Sequence, residues 1–319
     1  MATEVFDSNY LLITLLVTFV FQLVFFLITA VAQFDTLTDL AGSTNFLILA
    51  LLTFFLAESY HARQILITVC AALWAVRLAT FLFARILIWG HDNRFDEMRN
   101  SIPKLAAFWF GQFVWVWVVS LPVTVTNATV ERDPKLGAAD FVGVVMFAVG
   151  LLLEAVSDWQ KLKFKQDKEK KGKWCDVGLW KYSRHPNYFG EILLWWGLFA
   201  ISTPILSNGQ WAVLASPLLI SVLLLFVSGL PLLEASANEK YGGNPEFAPY
   251  RARTSIMVPM PNGLWEALPG WLKRTVLLEW KMYEAKGKEE GKEEAEGYGA
   301  TGKGPAGSSQ GETDPAENA

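Results

Sequence analysis

Trp180-Lys181-Tyr182-Ser183-Arg184-His185-Pro186-Asn187-Tyr188-Phe189-Gly190-Glu191 runs directly into Ile192-Leu193-Leu194-Trp195-Trp196-Gly197. Ser, Arg, His and Asn crowd against a proline, and a glutamate is carried into an apolar segment that reads as membrane-spanning. Ionisable groups cost free energy at that depth, so such a cluster reads as a functional site. It also sits where a basic loop becomes a helix N-terminus, an arrangement suited to holding an anion.

The rest of the chain agrees with a membrane setting. Of 319 residues, 52% are hydrophobic and 14% aromatic, and mean hydropathy is +0.29 despite a polar C-terminus. Stretches of about 20 apolar residues mark spanning helices. Seven are predicted, near 10–32, 43–59, 65–89, 105–126, 139–158, 188–206 and 211–230. The expected fold is therefore an all-α polytopic membrane protein, with a membrane domain over 1–285. The second span has the shortest apolar centre, bounded by Asn45 and Glu58.

Charge sets the expected orientation. Glu4 and Asp7 precede the first span with no basic flank, so it reads as a retained helix with an outside or lumenal N-terminus. The 159–187 loop carries seven lysines from Lys161 to Lys173, then Lys181 and Arg184. The 90–104 loop carries Arg94, Arg99 and Lys104, whereas the opposite loops offer Arg63, Arg132 and Lys135. Positive-inside places the basic side and the C-terminus in the cytosol. The net charge of −4 comes mainly from the tail and says nothing about partners; no nucleic-acid partner is expected. Cys70 and Cys175 lie in different settings, and His61, His91 and His185 are scattered, so no disulfide and no metal site is expected.

Residues 286–319 are Gly, Glu, Lys and Ser with almost no apolar side chain, which reads as a disordered hydrophilic tail. Between 231 and 285, prolines punctuate a short cytosolic region. Its last piece, Leu264 to Tyr283, has the mixture of an amphipathic surface helix.

Several residues could carry chemistry. Glu154, Asp158, Lys161 and Lys165 follow at i, i+4, i+7 and i+11 on one helical face. Mutual pairing in solvent is the bland reading for the lysines; Glu154 is set among apolar neighbours, and Asp158 lies at the membrane edge. Asn187, Glu191 and Trp195 repeat at i, i+4 and i+8, with Pro186 as first helical residue and Ser183 or His185 as candidate cap. Arg77 is mid-span and must find a carboxylate or polar ligand, with Glu154 and Glu191 as the obvious partners. A structural ion pair and a substrate contact both remain open there. Gln112 lines a cavity or bonds a neighbouring helix. Tyr241, Tyr250 and Arg251 or Arg253 suit a nucleotide but equally suit headgroup anchors.

These residues resemble a known superfamily. Gly178-Leu179-Trp180, Tyr182 to Glu191 and Trp195-Trp196-Gly197 are similar to the C-terminal signature of the steroid 5-alpha-reductase-like membrane proteins. Leu73 to Leu78, Arg85, Asp92 to Phe95, Ser228 to Pro231, Thr254-Ser255 and Pro259 resemble its DUF1295 branch more closely. The resemblance implies NADPH held from the cytosolic side and reduction of a carbon–carbon double bond in a steroid- or lipid-like substrate, in the endoplasmic reticulum or another internal membrane. It implies cofactor contacts at Asp158, Asn187 and Glu191, with Tyr241 and Tyr250 matching the sterol-reductase pattern and Glu234 at the position of a family acid; Arg184, Tyr188 and Arg253 are further candidates for cofactor grip, and Arg77 and Asp92 are candidates for the substrate or proton-delivery side. One departure is Trp74, where the reductases carry a tyrosine; Tyr60 and Glu58 stand near in sequence. The isoprenylcysteine carboxyl methyltransferases share an Arg-His-Pro-x-Tyr-x-Gly motif but bind S-adenosylmethionine, with an Arg before a Glu-Glu pair. Here that region reads Leu232-Leu233-Glu234-Ala235, which ranks the methyltransferase second. A non-catalytic lipid-binding protein is the third reading.

Overall fold

A computed structural model describes residues 6–32, 38–89 and 101–283. Seven helical segments among them are long and apolar enough to cross a bilayer, and the protein is an integral multi-pass membrane protein. In chain order the helices are α1 (Leu11–Ala32), α2 (Thr38–Ala57), α3 (Ala62–Trp89), α4 (Ile102–Val119), α5 (Leu121–Ala128), α6 (Ala138–Gln166), α7 (Pro186–Ser202), α8 (Ala215–Val222), α9 (Leu230–Tyr241), α10 (Phe247–Arg253), α11 (Asn262–Ala267) and α12 (Gly270–Thr275). No strand occurs among the described residues beyond an isolated parallel bridge, Ser183 to Ser255.

Lipid, not water, is the outer solvent, and the burial pattern shows it. Along α1 the buried residues are Thr14, Thr18, Gln22 and Thr29, while Phe19, Leu27 and Val31 are exposed. Thr14 and Thr18 hydroxyls donate to carbonyls one turn back. Gln22 donates to Asn45 on α2 at 3.0 Å and accepts from Gln112 on α4 at 3.0 Å. Amides sewn across three helices are how a bundle associates where no hydrophobic effect separates helix from lipid.

The central pair is α6 and α7. Gly143 and Gly150 face Gly197 and Gly190, and a Cβ on Gly150 would lie 2.5 Å from the Gly190 carbonyl oxygen. The reverse substitution at Gly190 meets the Gly150 carbonyl at the same 2.5 Å. Glycine alone permits this approach, as in small-residue helix interfaces of membranes. Its result is positional: α6 and α7 are clamped with Glu154 and Asp158 beside Asn187 and Glu191. Behind them Trp74 packs edge to face on both Phe46 and Trp195 at 5.0 and 4.9 Å, and Phe46 meets Trp195 tilted at 5.5 Å.

Helix breaks follow the prolines more closely than the apolar runs do. The fourth span, expected to continue to 126, ends at Val119 and restarts as α5, whose first turn holds Pro122. The seventh is compound: a 3-10 stretch Asn208–Leu214, α8, a π turn Leu223–Val227, a break at Ser228-Gly229, and α9. Pro231 therefore opens α9 instead of ending the span before it. The single surface helix expected over Leu264 to Tyr283 is two short ones, α11 and α12, because Pro269 takes an extended conformation between them. Residues 284–319, the expected tail, lie outside the described residues.

At one end of the bundle Arg63, expected in a loop, is 1% exposed. It donates to both Asp140 oxygens at 2.8 and 3.0 Å, and to Asp133 and the Pro134 carbonyl. This lock ties α3 to the segment that starts α6. The opposite end carries Arg184.

Candidate functional site

Two polar clusters meet along the start of α7. The outer one is built round Glu234 on α9. His185 Nε2 lies 2.7 Å from Glu234 Oε1, Arg184 Nε donates to the same oxygen at 3.2 Å, and Arg251 Nη2 reaches Oε2 at 3.1 Å. Arg184 is saturated: it also donates to the Arg251 and Thr254 carbonyls at 3.1 and 2.9 Å and to Glu279 at 2.6 Å. Burial alone would lower its pKa, but Glu234 and Glu279 outweigh burial and hold it above the ordinary value. Arg251 donates further to Asn238 at 2.6 Å and to the Tyr283 carbonyl at 2.8 Å.

His185 occupies the N-cap position of α7, yet no side chain there caps the helix. Ser183 instead donates to the Met257 carbonyl at 2.7 Å and accepts from the His185 N–H. Burial pushes the His185 pKa down, against the opposing pull of Glu234. A neutral ring with Nε2–H turned to Glu234 leaves Nδ1 as a bare acceptor. Nδ1 is buried and has no partner.

Beside this cluster lies a cavity of about 220 Å³. Lys161, Lys165 and Lys240 line it, and so do the rings of Trp174, Trp180, Tyr241, Phe247 and Tyr250. Lys161 Nζ sits 4.5 Å from the Trp180 ring centroid, a cation–π contact. None of the three lysines pairs with a carboxylate among the described residues. The pairing expected for Lys161 and Lys165 is not formed: Glu154 and Asp158 turn to Arg77, and the lysines line the cavity. Trp174 Nε1 is buried without a partner. Cys175 lines the same wall, its thiol pushed up to about 11 by burial and hence un-ionised at neutral pH. Burial also pushes the Tyr250 phenol up; its O–H donates to the Trp180 carbonyl at 2.9 Å.

The inner cluster lies one to two turns down α6 and α7. Arg77 on α3 donates to Glu154 at 2.7 Å and to Asp158. Asn187 donates to Asp158 at 3.2 Å, and Glu154 Oε2 is buried without a partner.

The residues expected to act together are thus distributed as follows. Arg184 and Glu234 hold the outer cluster, Tyr241 and Tyr250 wall the cavity, and Tyr188 stacks on His185 at 5.8 Å. Arg77, Asp158, Asn187 and Glu191 make the inner cluster. Arg253 is exposed at the end of α10, while its neighbour Arg251 enters the outer cluster. Asp92 lies outside the described residues. Trp74 is fully buried in the core, and Tyr60 is exposed with a φ of 52°. Gln112 bonds its neighbours α1 and α2. Lys161, Lys165, Lys240, Trp174 and Glu279 were not singled out for a ligand from sequence. The lysines carried a signal, since Lys161 and Lys165 continue the Glu154 face; Glu279 carried none.

The sequence profile of DUF1295, a family described as proteins of unknown function, matches residues 25–254. The chain belongs to the DUF1295 family. No curated protein and no solved structure matches it. The DUF1295 match covers every member of the two clusters except Glu279, which reaches Arg184 from the segment beyond it.

Proposed function

We propose that this DUF1295 protein is a membrane oxidoreductase that reduces a carbon–carbon double bond in a lipid- or steroid-like substrate with NADPH. The observation that carries the reading is the cavity beside Glu234. Three ammonium groups without carboxylate partners suit phosphate oxygens, five aromatic rings suit a base, and the orphaned His185 Nδ1 and Trp174 Nε1 offer one acceptor and one donor. Those residues fit the phosphate-bearing end of a dinucleotide. The same three cations disfavour the sulfonium of S-adenosylmethionine, which supports ranking a methyltransferase second.

Bound NADPH would supply the hydride. The chain's own part is to fix and shield. Lys161, Lys165 and Lys240 would neutralise phosphate, and the saturated Arg184 would keep His185 and Glu234 in place without competing for the ligand. The inner cluster would present polar groups where the apolar segments begin. The substrate side is supported by a second cavity of about 250 Å³, lined by Phe19, Leu23 and Phe26 of α1 and Trp109, Phe110 and Phe113 of α4. A charged cofactor entering from the cytosol and an apolar substrate from an internal membrane such as the endoplasmic reticulum would then approach by separate routes.

The test is ligand-dependent thermal stabilisation of the detergent-purified protein with NADPH, NADH and S-adenosylmethionine. A ligand selective for the folded state adds about 2.7 kcal/mol at 100 times its dissociation constant. The reading expects a response to NADPH that Lys161→Ala weakens. A response to S-adenosylmethionine alone would transfer the cavity to a methyltransferase, and a response to none would leave a non-catalytic protein.

A further inference from the structure

Helix α6 carries a face that no other part of the described chain covers. Val142, Val145, Val149, Leu152, Val156 and Trp159 recur at alternating steps of three and four residues, and every one of them is exposed. That spacing is a single helical face. Gly143, Phe147, Gly150, Glu154 and Ser157 are buried on the other, where α7 packs. The exposed face is therefore the lipid-facing side of α6. From Val142 to Trp159 it rises about 26 Å, against a hydrocarbon core of about 30 Å.

Its end changes chemistry. Trp159 is 57% exposed, and Lys163, one turn further along the same face, holds its ammonium 4.7 Å from the Trp159 ring centroid. These two side chains stand where apolar core gives way to headgroups, the level at which tryptophans and snorkelling lysines collect. The chain then stays basic and open. Lys168, Lys171 and Lys173 are exposed around a 3-10 turn over Lys168–Lys170. Lys170 pairs with Asp167 at 2.9 Å; Lys163, Lys168, Lys171 and Lys173 pair with no carboxylate among the described residues. Helical rotation separates these lysines from the cavity, because Lys161 and Lys165 line it while Lys163 lies over Trp159. The opposite end of the bundle is built differently. Arg63 is buried there against Asp133 and Asp140, and exposed Lys135 follows exposed Glu131 by four residues.

We infer that Trp159, Lys163, Lys168, Lys171 and Lys173 form a docking surface for the headgroups of anionic phospholipids in the leaflet at this end of the bundle. The surface is independent of the cofactor reading and stands whether or not the cavity takes NADPH. The register of α6 favours a lipid over a soluble anion. A free phosphate would meet the ammonium groups alone, whereas a phospholipid brings its phosphate to the level of Lys163 and lays an acyl chain along Val156 and Leu152 of the same face. Headgroup charge sets the preference, since the cation of a zwitterionic headgroup opposes the lysines and an anionic headgroup does not. Positive-inside reads this end as cytosolic, the side on which anionic lipids attract basic segments next to a spanning helix.

Electron spin resonance of the full chain reconstituted in phosphatidylcholine, with spin-labelled phosphatidylserine or phosphatidylcholine as the probe, measures which lipid the protein surface holds. The wild-type protein is expected to restrict phosphatidylserine in preference to phosphatidylcholine. The combined substitution Lys163→Gln, Lys168→Gln and Lys171→Gln is expected to remove that preference and to leave the melting temperature little changed, as exposed positions do. Lys135→Gln, at the opposite end, is expected to preserve it. Equal restriction of the two lipids in the wild type overturns the inference, as does a preference that survives the combined substitution or is lost with Lys135→Gln. Inorganic phosphate that abolishes the preference where chloride of equal ionic strength does not would turn the surface into a free-anion site and overturn the lipid assignment as well.

Discussion

The two clusters on either side of Pro186 are charge inverses. Outside, Glu234 is ringed by Arg184, Arg251 and His185, and Glu279 supplies a second carboxylate. Two arginines meet two glutamates, and the arginine head groups reach carboxylates and backbone carbonyls, while Arg251 Nε, Glu279 Oε2 and His185 Nδ1 have no partner. Inside, one arginine meets three carboxyls, and Glu154 Oε2 and Asn187 Oδ1 have no partner. A charge-balanced network is what a fold needs to fix its loops. An unbalanced one is costly unless a proton or ligand completes it. The signature residues therefore divide. Arg184 and Glu234 build the wall of the cavity, and Asn187 and Glu191 belong to the inner cluster.

Substitution can break that comparison at either end. Glu234→Ala would leave two arginines and a histidine round a missing carboxylate, a loss of about 3–5 kcal/mol typical of a broken buried pair. It is expected to abolish a cooperative thermal transition or lower it sharply. Arg77→Met is expected to cost less, about 1–3 kcal/mol, because the three carboxyls can neutralise by taking up protons while Glu234's arginines cannot shed theirs. If Arg77→Met proved the more damaging in thermal unfolding, the inner cluster would be the structural one.

The cavity should respond differently from both. Lys161→Ala removes an ammonium that has no carboxylate partner among the described residues but lies over Trp180, so thermal stability without ligand is expected to fall by about 0.5–1 kcal/mol. NADPH affinity is expected to fall about tenfold, the equivalent of about 1.4 kcal/mol, by equilibrium titration. The smallest effect concerns His185. Its folded-state pKa is depressed below the ordinary 6.5, so the unfolded chain binds the proton first as pH falls. His185 then costs nothing above pH 6.5 and takes stability away below it, by linkage. A melting-temperature profile is expected to decline on that acid side, and His185→Gln, which keeps a donor toward Glu234, should flatten it.

Much of this architecture was legible in residue type alone. Apolar runs located the seven spans, because lipid forces every spanning segment to be helical and apolar. Arg77, buried in such a run, announced that it needed a carboxylate; it meets Glu154, as the sequence suggested, and Asp158 in place of Glu191. What sequence did not reveal depended on which helices touch. Gly143, Gly150, Gly190 and Gly197 recur at intervals of seven, yet only the fold shows them facing one another. Lys161 and Lys165 looked self-neutralised by the acids preceding them, until α3 brought Arg77 to claim those acids. Glu279 sits in a segment with no motif, and its role follows entirely from where Pro269 and the turn after α12 deliver it.

Isothermal titration of the detergent-purified wild-type protein with NADPH, repeated with Lys161→Ala and Glu191→Gln, tests the account most directly. The account predicts one saturable site, weakened about tenfold by Lys161→Ala and retained in Glu191→Gln, since Glu191 does not line the cavity. Absence of saturable NADPH binding, or binding indifferent to Lys161, would contradict it.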